Sequence, residues 1–371
     1  MAGEIYLAKD TELAELKTYV ENKTTTLYVN NPVYDIGWDL KAAIPYAYQN
    51  YGNNCVAYKD VIYMFGSTNS STYYQYLFKY DIKTNTWTTD TSKMSSAGVY
   101  GNNASAVKIG NIAYVFGGNS ATTVAWKYNL DTGVITKLST AIPFNFYQGA
   151  AVLDANGKIH LLGGSGSSTA HYIYDPSTDT YTSSVALPYS FNSGTACCVN
   201  NTIYAFGSGN STSYYKYCYA FENNATAWAA KTSSPYYTYN GRAMVSADNR
   251  YIYIFGGTSY LQYLQTYDIL NNTWSYVSTY IPFSFQIGGL VKYNSAIYVI
   301  GGSSANTTMY KYKLRQKQFI KAGAMVLTES ELCYIKNSQE IALEKNINGL
   351  YEIIEDAYYY FDAEAQLTII Q

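Results

Sequence analysis

The 371-residue sequence predicts an all-β fold: a six-bladed propeller with a short N-terminal helical segment and a small C-terminal extension. Three observations carry this reading. The apolar signature VIYMFGS at 61–67 returns as NIAYVFGG (111–118), KIHLLGG (158–164), TIYAFGS (202–208), YIYIFGG (251–257) and AIYVIGG (296–302). Its first glycines, Gly66, Gly117, Gly163, Gly207, Gly256 and Gly301, lie 51, 46, 44, 49 and 45 residues apart, the period of one propeller blade. After each glycine comes a Ser/Thr/Asn/Gly run and a second extended stretch, as in KYDIKTNTW (79–87) and TYDILNNTW (266–274). Such a stretch reads as two strands about an Asp/Asn/Thr turn, so each unit holds four short strands.

In chain order, residues 1–30 form an attachment segment in which Asp10 or Thr11 caps a helix, with Glu12 in its first turn and Leu13, Leu16 and Val20 on one side. Nothing in MAGEIYLAKDTELAELKTYV reads as a secretory signal, so synthesis without a signal peptide in a cytoplasm is expected. Residues 31–319 are the propeller. Within them Trp38 precedes Pro45 by seven residues, as Tyr181 precedes Pro188. The Trp38 stretch is therefore expected to complete blade six against Ile297–Ile300 and Met309–Leu314, closing the ring and removing its free edges. Phe319, seven residues after Tyr312, competes for that place, and Trp38 is preferred. Residues 320–371 form a small extension with no clean periodicity, in which short strands about KNSQ are expected.

The glycine pair after the second strand, the Tyr-Asp before the hairpin turn and the Trp after it (Trp87, Trp228, Trp274) resemble the kelch family over residues 33–314. Departures are Ser67 and Ser208 in place of a second glycine, and Ile135 and Tyr181 in place of Trp. The resemblance implies that two sets of loops share one face around a central channel, the usual binding surface: those between second and third strands, and the segments joining successive blades.

The joining segments are PYAYQNYG, PFNFYQG, PYSFNSG, PYYTYNG and PFSFQIG, from Pro45, Pro143, Pro188, Pro235 and Pro282. Aromatics recur one and three residues after each proline: Tyr46 and Tyr48, Phe144 and Phe146, Tyr189 and Phe191, Tyr236 with Thr238 beside Tyr239, Phe283 and Phe285. Alternate residues of an extended segment share a side, so both rings of a pair either pack between blades or line the channel mouth. In the second case they line a ligand site, with Tyr46, Phe144, Tyr189, Tyr236 and Phe283 as stacking platforms and Asn145, Gln148, Asn192 and Asn240 as hydrogen-bond partners, a surface suited to a neutral, polyhydroxylated ligand.

Composition narrows the partners. A net charge of -2, with 13% charged residues, leaves no footprint for a phosphate backbone, and no apolar run reaches the length of a membrane helix. The 45 tyrosines, with Ser, Thr, Asn and Gly, supply the palette of a binding surface. The five cysteines are read as buried apolar residues. His160 and His171, the only histidines, lie in strand patterns; the aspartates 81, 131, 175, 179 and 268 fall at hairpin turns; and the mouth loops hold no carboxylate pair. No enzyme activity, cofactor or metal is therefore expected. The reading is a ligand-binding propeller that recognises a cell-surface glycan or protein receptor. It belongs to a virion, phage tail or tail-like particle, docked to other particle proteins through residues 1–30, whose sequence resembles the opening segments of some phage tail proteins. An intracellular kelch adaptor gripping a protein partner is the alternative.

Overall fold

The computed structural model describes residues 38–313, apart from short stretches at 51, 69–72, 100, 120–121, 167, 210–213, 247–248, 259–261, 277–280, 295 and 303–306. Outside that span it describes strands at Ile5–Leu7, Leu27–Asn31, Gln318–Gly323, Glu344–Lys345, Tyr351–Glu352, Tyr358–Phe361 and Leu367–Ile370. The chain divides into two units, Gly37–Tyr312 and the two terminal stretches together. In the terminal unit Ile5–Leu7 pairs in parallel with Leu27–Asn31, which pairs antiparallel with Gln318–Gly323, and the remaining strands form two hairpins. The expected N-terminal helix at 10–20 and the expected strands about KNSQ lie outside the described residues.

Gly37–Tyr312 is a ring of six four-stranded antiparallel sheets. The inner strands, Cys55–Tyr58, Ser105–Ile109, Ala150–Leu153, Thr195–Val199, Arg242–Val245 and Gly289–Tyr293, each touch the next, and the last touches the first. Blade six is closed by Trp38–Leu40, whose Trp38 pairs with Tyr312 and Leu40 with Tyr310. Phe319 pairs instead with Asn30 in the terminal unit.

The aromatic signature is a cross-strand pair between third and outer strands. Tyr80 faces Trp87, Tyr267 faces Trp274 and Tyr312 faces Trp38, with ring centroids 5.0, 5.1 and 4.7 Å apart. Such pairs stabilise beyond their buried area. The turn between them reaches across to the preceding blade. Asn85, at φ 56°, accepts the Ala42 N–H at 2.9 Å while the Trp87 indole donates to the Ala42 carbonyl at 2.9 Å. Asn272 and Trp274 grip Thr232 in the same way.

The double glycine locks the other end of blades two, three, five and six, and in blades one and four the first glycine is followed by serine. The first glycines hold φ between 56 and 75°, and a Cβ on Gly117 or Gly256 would sit 1.9 Å from the carbonyl oxygen of Phe146 or Phe285. The second glycine's N–H donates to the corresponding carbonyl: Gly164 to Phe191 at 2.7 Å, and Gly302 to Tyr48 at 2.9 Å. Only a residue without a side chain allows the end of one blade's second strand to press on the segment entering the next.

Candidate functional site

The antiparallel order places the turns between first and second and between third and outer strands on one face, and the loops between second and third strands on the other with the joining segments. The first of these faces carries the ion pairs Lys59–Asp131 (2.8 Å), Lys83–Asp60 (2.6 Å), Lys158–Asp175 and Arg250–Asp268 (3.2 Å). Its aspartates are turn formers: the Asp81 carboxylate accepts the N–H groups of Lys83 and Thr84, both at 2.9 Å, which holds its pKa below the usual range. Around the mouth of the channel the described charged side chains are Lys216, bonded to the Pro235 carbonyl at 2.6 Å, and Arg242, which is buried.

The joining segments bring the predicted aromatics to this mouth but split each pair by depth. Tyr48, Phe146, Phe191 and Phe285 are 0% exposed, as is Thr238, because the glycine lock clamps their backbone between two blades. Of the two readings of the aromatic pairs, packing between blades holds for Tyr48, Phe146, Phe191 and Phe285, and the ligand-binding place expected for these four rings is corrected: they are core. Tyr189, at 8%, is also largely covered. Tyr46, Phe144, Tyr236 and Phe283 are half-buried, each against an aromatic at the start of its own blade's third strand. Phe144 stacks on Tyr172 at 5.1 Å, Phe283 on Tyr310 at 5.3 Å, and Tyr236 lies 4.8 Å from Tyr263. In blade two a four-residue helix, Lys93–Ser96, replaces this arrangement and buries Met94.

Asn145 is exposed, Gln148, Asn192 and Tyr239 are half-buried, and Asn240 is buried. Gln148 and Asn240 belong to a feature the sequence reading missed. Asn103, Gln148, Ser193, Asn240 and Ile287 occupy the same place in successive blades with φ between 51 and 64°. Each of the last four donates its N–H to the carbonyl of the one before, at 2.9 to 3.2 Å, and Asn50 donates to Ile287 at 2.6 Å. The result is a hydrogen-bonded collar around the channel. The run of Asn, Gln and Ser three to four residues after the joining-segment aromatics was its trace in the sequence.

Below the collar the inner strands surround a cavity of about 50 Å³ lined by Asn53, Ser105, Thr195 and Arg242 among small residues. The Arg242 guanidinium bonds to the carbonyls of Gly288 (2.9 Å), Gly241 (2.8 Å), Gly52 (2.6 Å) and Asn50, tying together blades five, six and one. It has no carboxylate partner among the described residues, and burial lowers its pKa to about 10, which leaves it charged at neutral pH. Beside it burial raises the Tyr48 phenol well above its ordinary value and the Cys55 thiol to about 12, so neither neutralises it.

Sequence comparison agrees with this geometry. Residues 103–302 match the model of the KLHDC2/KLHL20/DRC7 Kelch-repeats domain. The chain belongs to the kelch-repeat family. No curated protein matches it. Among solved structures the kelch propeller is similar to YjhT, with a TM-score of 0.59, 15% identity and coverage of 76% of this chain and 99% of that one, a likeness of fold.

The two histidines of this kelch propeller are joined to each other in the core, away from the mouth. The Val185 carbonyl, 2.9 Å from His171 Nδ1, can only accept, so that nitrogen carries the proton and His171 Nε2 accepts from His160 Nδ1 at 2.8 Å. His160 Nε2 faces Asp154 at 3.5 Å. A second proton on His171 would break the bond to His160, and burial lowers the His171 pKa to about 4. Because the folded value lies below the unfolded one near 6.5, this contribution to stability is full above about pH 6.5. It is lost as pH falls towards 4, by an amount on the order of 2–3 kcal/mol. Urea melts at pH 7.5 and 5 should show the loss in the wild type and a much smaller one in His171→Phe. Equal losses in both proteins would assign the pH dependence elsewhere.

Proposed function

We propose that the mouth face of this kelch propeller is a non-catalytic binding surface for a neutral glycan, as found on a cell surface. The observation that carries the reading is the chemistry of the mouth: half-buried rings of Tyr46, Phe144, Tyr236 and Phe283 around a collar of amides, with Lys216 and Arg242 bonded to main-chain carbonyls and four ion pairs on the opposite face. Both amide atoms of Asn102, and one each of Asn50 and Asn240, are buried without a partner among the described residues. Such groups are costly unless something polar meets them. Sugar hydroxyls donate and accept, and sugar C–H faces pack on aromatic rings. Residues 1–30 are then an attachment segment to other proteins of a phage tail or tail-like particle.

A glycan array with a salt titration tests the reading. Retention of a neutral polysaccharide is expected, with affinity changing less than about twofold between roughly 50 and 500 mM salt because no charge is screened. Tyr46→Ala or Tyr236→Ala should weaken binding about tenfold or more, the loss of roughly 1.4 kcal/mol of contact, with both proteins still folded. No retention on the array, or binding that collapses with salt, would favour the adaptor alternative with a charged peptide partner.

A further inference from the structure

Blades one and four differ from the rest in the same way. FGSTNSSTYYQYLFKYD (65–81) and FGSGNSTSYYKYCYAFE (206–222) share Phe, Gly, Ser, Asn, Ser and three tyrosines in register, and both hold serine where the other blades hold the second glycine. The serine changes the fold locally. The Ser67 hydroxyl donates to the Ala47 carbonyl at 2.9 Å and Ser208 to Asn192 at 3.2 Å, and each accepts a backbone N–H from the same joining segment. At these sites the ladder shifts register and then continues, pairing Ser67 with Tyr74 and Thr68 with Tyr73, and Ser208 with Tyr215 and Gly209 with Tyr214. The third strands Tyr73–Asp81 and Tyr214–Glu222 therefore run nine residues against five in blades two, three, five and six. The third strands of these two blades thus begin four residues, roughly 13 Å of strand, before the position at which those of the other blades begin.

Each lengthened hairpin carries a ladder of phenol rings. In blade one Tyr74 and Tyr76 lie 5.3 Å apart, with Tyr46 at 5.4 and 5.1 Å from them. In blade four Tyr215 stacks on Tyr217 at 5.1 Å, Tyr189 lies 5.2 Å from Tyr217, and Tyr217 is 38% exposed. Blades one and four are three steps apart in a ring of six, so the ladders face each other across the channel mouth, related by about half a turn. A directional chain crossing the mouth meets them in opposite senses, which stacking on ring faces tolerates and a directional hydrogen-bond pattern does not. Between them lie the collar and the amide atoms of Asn50, Asn102 and Asn240 that have no partner among the described residues.

We propose that the two hairpins are a two-point clasp for one linear, uncharged glycan chain laid across the mouth. The proposal rests on the glycan reading above and adds its geometry: a polymer long enough to reach both ladders binds as one bivalent ligand. The test uses the full chain with size-fractionated glucans, galactans and mannans, and the paired variants Tyr74→Ser/Tyr76→Ser and Tyr215→Ser/Tyr217→Ser, checked by melting. Affinity should rise at least tenfold at a threshold chain length. Shorter oligomers should bind two per protein, falling to one in either variant, and either variant should lose the rise. A bound polysaccharide with no length threshold, or one indifferent to either pair, overturns the clasp and leaves the glycan reading standing. No binding of any of these polysaccharides overturns both.

Discussion

A chain lacking residues 1–41 is expected to melt far below one lacking residues 1–36, although only five more residues are gone. Those five include the whole outer strand of blade six. Trp38 packs at 4.7 Å on Tyr312 and edge-on to Tyr310 and Phe255 at 6.2 and 6.3 Å, so its ring bridges blades six and five. Truncating a packed Trp costs about 3–5 kcal/mol. The ladder from Trp38 to Leu40 and the bond from Lys41 N–H to the Met309 carbonyl (2.9 Å) go with it, at about 0.5–1.5 kcal/mol each. The sum is above roughly 5 kcal/mol, which for a body of this size lowers Tm by more than about 10 °C. The strand MYKYK (309–313) would also become an open edge, and the shorter chain should aggregate on heating. Equal melting of the two truncations would show that the ring does not depend on this strand.

That closing strand was legible because its Trp-to-Pro step repeats the step in other blades, and the six blades were legible because the glycine lock admits one residue type. The aromatic pairs were half legible. Alternation correctly put both rings of a pair on one side, but it carries no depth, and the clamp on the carbonyls of Phe146, Phe191, Phe285 and Tyr48 draws the second ring into the core. Ser67 and Ser208 read in sequence as imperfect repeats, whereas in the fold they mark the two hairpins that leave the common pattern. Arg242 was the least legible residue: an arginine in a polar segment reads as surface, and only the closure of the ring brings four carbonyls from three blades around it.

Replacing Arg242 by Met should therefore destabilise the propeller by about 3–5 kcal/mol. A buried ion exchanged for an apolar residue of similar size is often neutral, because the penalty of burying the charge disappears with its attractions. That compensation requires the partner to change as well. Here the acceptors are main-chain carbonyls of Asn50, Gly52, Gly241 and Gly288, which stay buried under the collar whatever the side chain is, and each unsatisfied acceptor costs about 1–3 kcal/mol. Arg242→Lys should recover less than half of the loss, since one ammonium cannot reach carbonyls spread around a planar fork. Urea melts give the two differences. Hydrogen exchange should locate them, with the Asn50 amide, bonded to Ile287 at 2.6 Å, losing protection before the amides of blades two and three. A methionine variant as stable as the wild type would mean that water in the channel can take over the guanidinium's donors, and the keystone role would pass to the collar alone.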